Sequence, residues 1–240
     1  MRGLMQDWPL LVHKIIDHAA LYHGGARILS RTAEGPLHRT DYPQIRSRAR
    51  QLSSALARRG IGKGDRVATL AWNSWRHMEC WYGIAGAGAV HHTLNPRLFA
   101  EQIAWIANDG AAKALLFDTC FAPLFERIAP ALKHVKSYVV LSDGDGMPKM
   151  KLPRRPVAYE DLIAGRAERE WDAPDENSAC GLSYTSGTTG HPKGVLYSHR
   201  SSVLHALIAG QGAGLAMGTQ DVMLPVVPMF HANFWGIAHI

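Results

Sequence analysis

The chain reads as an α/β protein whose strands lie mainly parallel in sheet layers. Two observations predict this. Short apolar runs alternate with longer segments whose apolar residues recur at helical spacing, and glycines or turn residues punctuate almost every switch between them. Strands that alternate with helices pair in parallel across helical crossovers. Taken in order, residues 26–31 (ARILSR) and the turn at Glu34, Gly35 and Pro36 form a strand and hairpin. Asp41 then stands where an N-cap opens a helix from Tyr42, with Ile45, Ala49, Leu52 and Leu56 on one stripe and Gly60 and Gly62 ending it. A buried strand at 65–72 follows, then a helix capped by Asn73 or Ser74, and a strand at 88–95. Residues 100–110 are a helix closed by glycine, 113–118 a strand, 122–132 a helix and 137–142 a strand. Residues 143–180 are rich in Gly, Pro and charge around one short helical stretch at 159–165, and read as a surface connection between two subdomains. The chain resumes with strands at 181–185 and 194–199, a helix at 200–210, and a buried strand at 221–227.

Composition narrows the function classes. The 240 residues are 47% hydrophobic and 19% charged, an ordinary globular balance, and no internal repeat or low-complexity tract is visible. No run is apolar enough to span a membrane, and Asp7, Pro9, His13 and Lys14 interrupt any leader-like core, so a cytoplasmic location is expected. Cys80, Cys120 and Cys180 are odd in number and widely spaced, which suits neither a disulfide framework nor a zinc site. The net charge of +6 could serve nucleic acid or a small anion. Most of the clustered arginines, Arg46 to Arg59, fall on one amphipathic helix as a solvated face, and nothing shows the interleaved aromatics of a strand binder, so no nucleic-acid partner is expected. His91 and His92 are adjacent in a strand and point to opposite faces, so no metal pair is expected there.

The chemistry concentrates in residues 185–194, TSGTTGHPKG, set between two strands. Gly187 and Gly190 open backbone angles closed to other residues, so successive N–H groups can converge on one anion. Ser186, Thr188 and Thr189 add hydroxyls, and Lys193 adds a positive charge; the set suits phosphate. A Walker loop is excluded, because Pro192 precedes Lys193, Gly194 follows it and a strand comes next. A flexible linker or plain hairpin is the remaining plain alternative, and neither calls for three hydroxyls with a Pro-Lys-Gly tip.

Residues 184–200, YTSGTTGHPKGVLYSHR, resemble the signature of the AMP-forming adenylating enzymes. Residues 64–73, 92–98 (HTLNPRL) and 226–236 (VVPMFHANFWG) are similar, in the right order, to segments of the fatty-acyl-CoA synthetase branch. The resemblance implies the N-terminal part of the large domain of such an enzyme, with residues 1–240 incomplete and the C-terminal domain absent. It also implies ATP-dependent activation of a fatty or related carboxylic acid to an acyl-adenylate and then an acyl-CoA, with Mg²⁺ and coenzyme A as co-substrate. Thr185, Ser186, Gly187, Thr188, Thr189, Gly190 and Lys193 would cradle the β- and γ-phosphates, with Thr188 near the magnesium. His231 would stand beside the acyl carboxylate and α-phosphate, so that Lys193 and His231 are the catalytic candidates, and Phe234 and Trp235 would wall the acyl channel. Taken alone, Phe230, Phe234 and Trp235 read as core aromatics, the usual fate of such a cluster. The missing segments imply that residues 1–240 are inactive by themselves and expose apolar surface. A homodimer of the full-length enzyme is among the expected partners. The alternative is a truncated homologue that only binds nucleotide or a partner.

Overall fold

The computed structural model describes residues 1, 3–185, 191–231 and 234. Its first helix, α1 (His13–Tyr22), was not foreseen; it carries no side-chain cap and is held by tertiary packing of Ile16. A two-stranded hairpin follows, β1 (Arg27–Arg31) paired antiparallel with β2 (Leu37–Asp41) around Gly35 at φ +109°. Asp41 caps α2 (Tyr42–Ala57) as expected: its Oδ1 accepts the Gln44 N–H at 2.9 Å and its Oδ2 the Gln44 amide at 2.8 Å.

The main sheet begins with β3 (Arg66–Leu70), followed by α3 (Trp75–Gly86), β4 (Val90–Thr93), α4 (Ala100–Asp109), β5 (Ala114–Phe117), α5 (Ala122–Ile128) and β6 (Ser137–Val140). Ser74 is the N-cap of α3, accepting the His77 N–H at 3.2 Å. The expected helix at 122–132 stops early because Pro130 cannot continue it, and residues Ala129–Ala131 tighten into a 3₁₀ turn. Within the 143–180 connection lie β7 (Val157–Ala158) and α6 (Tyr159–Ile163), and β7 joins the sheet edge beside β6. The chain then forms β8 (Ala179–Tyr184), β9 (Gly194–Ser198) and α7 (His199–Gly210). The seven strands run in the order β7-β6-β5-β3-β4-β8-β9, all neighbours parallel except the antiparallel pair β8 and β9.

Both faces of the sheet are covered. On one, Ile103, Ile106 and Ala107 of α4 and Phe125 of α5 pack on Ala68, Leu70, Leu115 and Phe117. On the other, Leu52 and Leu56 of α2, Cys80 and Ile84 of α3 and Leu162 of α6 pack on Val67, Leu116 and Val139. Helices α2 and α3 approach closely at Gly83, where an added Cβ would lie 2.7 Å from the Ala49 carbonyl oxygen.

The expected buried strand at 221–227 is a correction. Those residues form no strand, and Val222, Leu224 and Val226 are exposed. Pro225 interrupts the donor ladder, and among the described residues no strand lies alongside to pair with. The exposed apolar surface foreseen in the sequence is present, in Leu196, Leu207, Ile208 and this segment.

Candidate functional site

Because β3, β4, β5 and β8 are parallel, their carboxyl ends share one edge, where Trp72 and Asn73, Asn95 to Arg97, Asp118 and Thr185 emerge. This is the edge at which open α/β sheets hold ligands.

The glycine loop leaves this edge between β8 and β9. Tyr184 pairs with Gly194, and the Thr185 N–H donates to the Lys193 carbonyl at 3.0 Å, which closes the base of the loop and sets two of the predicted site residues face to face. Thr185 and Lys193 are exposed. Ser186, Gly187, Thr188, Thr189 and Gly190 lie outside the described residues, and so does Trp235. The arms of the loop rest on α4. The Tyr184 hydroxyl donates to Asp109 Oδ2 at 2.6 Å, and the His191 ring stacks on the Trp105 indole, with centroids 4.7 Å apart and planes 10° apart. Sequence reading missed both anchors, since Trp105 and Asp109 reach the arms of the loop from a helix distant in sequence. An open groove of about 530 Å³, lined in part by Leu182, Tyr184, Leu196, Arg66 and Asp109, runs along the β8–β9 face.

Residues 228–231 form a turn at the same edge. The His231 N–H donates to the Pro228 carbonyl at 2.9 Å, and the Phe234 N–H to the His231 carbonyl at 3.1 Å. His231 is exposed. Phe230 is buried against the Trp72 ring, 5.7 Å between centroids, with the Arg97 guanidinium over both rings. Phe234 is also buried, in a cluster with Trp75, Trp81, Cys180 and Met229, the packing expected of a core aromatic.

Below the edge lies a buried polar chain. The Trp72 carbonyl can only accept, so His77 Nδ1, 3.0 Å away, carries the proton; His77 Nε2 then accepts from the Thr69 hydroxyl at 3.0 Å, which accepts in turn from His91 Nε2 at 2.8 Å. Burial lowers His77 to about 4 and drives His91 well below the ordinary imidazole range, so both rings are neutral. His92 faces the other way, against Tyr184. The Asp118 carboxylate accepts the Trp72 N–H at 2.7 Å, and burial pushes this acid up to about 7. Among the described residues no group of three His, Cys, Asp or Glu could hold a metal ion.

A mainly parallel sheet with helices on both faces, its last two strands antiparallel, defines an α/β protein. The chain belongs to the AMP-binding enzyme family, whose model matches residues 16–239. It is 46% identical over 237 residues to a 3-methylmercaptopropionyl-CoA ligase of Ruegeria lacuscaerulensis, covering 98% of this chain and 44% of that protein. It is 44% identical over 237 residues to a medium-chain-fatty-acid–CoA ligase of Ectopseudomonas oleovorans, covering 98% and 43%. The chain thus spans less than half the length of these relatives. In fold it is similar to the crystal structure of a long-chain-fatty-acid-CoA ligase from Archaeoglobus fulgidus, with a TM-score of 0.81 at 21% identity, covering 98% of this chain and 46% of that one. Among the described residues no helix is long and apolar enough to cross a membrane.

Proposed function

We propose that this chain carries the phosphate-binding loop and part of the acyl pocket of an enzyme that uses ATP to convert a fatty or related carboxylic acid to an acyl-adenylate and then to its coenzyme A thioester. The observation that carries the reading is the closed base of the loop, where the Thr185 N–H meets the Lys193 carbonyl at the carboxyl edge of the sheet within the family's signature run. The names of the relatives support an acid–CoA ligation.

The first step joins two anions, the acid and the α-phosphate, and expels a third, pyrophosphate. It calls for positioned donors and positive charge, and needs no protein nucleophile. Lys193 and the hydroxyls and N–H groups of residues 185–190 would hold the β- and γ-phosphates. His231 would orient the carboxylate against the α-phosphate. Mg²⁺ would enter with the nucleotide, bound through its phosphates, with the Thr188 hydroxyl as the proposed protein contact. Phe234 and Trp235 would border the acyl chain.

The test is acid-dependent exchange of labelled pyrophosphate into ATP, with a panel of carboxylic acids, for this chain alone and mixed with the remaining portion of a relative. Exchange that depends on the acid and falls at least a hundredfold in Lys193→Ala supports the reading. No exchange in any mixture, although ATP still shields Lys193 from proteolysis, overturns it in favour of a nucleotide-binding homologue.

A further inference from the structure

The segment leading to His231 has no strand beside it among the described residues, yet its backbone is satisfied at alternate positions by one side chain. Asn73 Nδ2 donates to the carbonyls of Pro225, at 3.2 Å, and Val227, at 3.0 Å, and Asn73 Oδ1 accepts the Met229 N–H at 2.6 Å. Positions 225, 227 and 229 are those a neighbouring β-strand would bond from one side. The orientation of the amide follows from its partners, since carbonyls only accept and an N–H only donates. Aspartate at position 73 could not donate to the two carbonyls, and serine could not span three groups.

Asn73 is itself rigidly mounted. The residue before it is held at both ends of its backbone, the Trp72 N–H by the Asp118 carboxylate at 2.7 Å and the Trp72 carbonyl by His77 Nδ1 at 3.0 Å, and Ser74 after it caps α3. Arg97 adds a second hold, its guanidinium 5.6 Å from the Trp72 ring centre and 5.7 Å from that of Phe230, directly before His231. We propose that Asn73 is a positioning residue for His231: by fixing residues 225–229 it sets the turn at 228–231 at the carboxyl edge of the sheet. The inference rests on the adenylation role proposed for His231, while the clamp itself stands on the geometry alone.

The experiment combines hydrogen exchange with a double-mutant cycle. In Asn73→Ala, the amides of Met229 and His231 should lose protection at least tenfold, while those of β3 and β5 keep theirs. In the preparation that catalyses acid-dependent pyrophosphate exchange, Asn73→Ala should slow that reaction tenfold or more. Combined with His231→Ala, it should add less than twofold to the loss caused by His231→Ala alone. If Asn73→Ala does not fold, Asn73→Asp makes the same comparison, since it removes both donors and keeps the acceptor. Multiplicative losses in the cycle, or unchanged protection at Met229 in Asn73→Ala, would overturn the proposal. If the unmutated protein shows no acid-dependent exchange, the ligase reading fails on its own, and protection at Met229 and His231 alone decides whether Asn73 fixes this segment.

Discussion

Gly83→Ala tests the packing on which the helical face of the sheet depends. By itself the change favours the helix, because alanine in a helix interior is better than glycine by about 1 kcal/mol. Here the new methyl would stand 2.7 Å from the Ala49 carbonyl oxygen and 3.0 Å from Leu52 Cδ2. Leu52 can turn, but the carbonyl belongs to the middle of α2 and moves only with that helix, which also packs on α6 and α1. Overpacking of this kind costs roughly 1–3 kcal/mol, so the expected net is a loss of about 1 kcal/mol. Gly62→Ala is the control: nothing lies within 4 Å of the added Cβ, so its effect should stay within about 0.5 kcal/mol of zero. Urea unfolding followed by far-ultraviolet circular dichroism, with equal m-values, gives both numbers. A Gly83→Ala protein as stable as the parent, or more so, would refute the close approach of α2 and α3.

The other expectations concern the cap, the buried rings and the acyl wall. Asp41→Ala removes both bonds to Gln44 and should cost about 1 kcal/mol in the same unfolding assay; no change would deny the cap its role. Burial lowers His13, His77 and His199 to about 4 and His92 to about 3. These folded values lie below the unfolded one, so the stability tied to neutral rings is present above pH 6.5 and lost as pH falls towards 4, about 3 kcal/mol for His77 alone. Glu79 and Asp118, both raised to about 7 by burial, act oppositely: their contribution is fully present below the unfolded carboxyl range and is lost as pH rises from about 4 through 7. With His91, which is also lowered, five rings outweigh two acids, so the melting midpoint should climb between pH 4.5 and 6, decline slightly between 6.5 and 7 and stay level above 7; a midpoint highest at pH 4.5 would contradict this. Trp235→Ala should alter the chain-length profile of acids accepted in pyrophosphate exchange, and an unaltered profile would remove Trp235 from the acyl wall.

Local signals made most of the sheet legible. Asp41 caps the helix it was expected to cap, and of the two candidates Asn73 and Ser74 it is Ser74 that caps the next, because a short polar side chain before an apolar period can accept the free N–H groups of the first turn. The continuous apolar runs at β3, β5 and β6 are strands covered on both faces, as parallel strands are. Helix α1 escaped notice because it has no cap and exists through contacts with α2 and α3. The two-residue strand β7 carries too short a pattern to stand out. The run at 221–227 misled because periodicity reports what a segment can bury, whereas a strand also needs a partner. In the site, the residue types of the loop were readable from chemistry alone. Its supports were not, because Trp105, Asp109 and Asn73 act across 75 to 156 positions of sequence, and no local pattern encodes such distances.

Helix α4 has a double allegiance. Its inner face, Ile103, Ile106 and Ala107, belongs to the main core, while Trp105 and Asp109 grip the arms of the glycine loop. The loop's footing is thus a surface extension of the most stable part of the molecule. As the protein opens towards unfolding, the grip on Tyr184 and His191 should be released in the same cooperative step as the centre of the sheet, although the neighbouring strand β9 is exposed along most of its length. A substitution deep under α4 can therefore loosen the arms of the loop without touching them, through the opening equilibrium it shares with them.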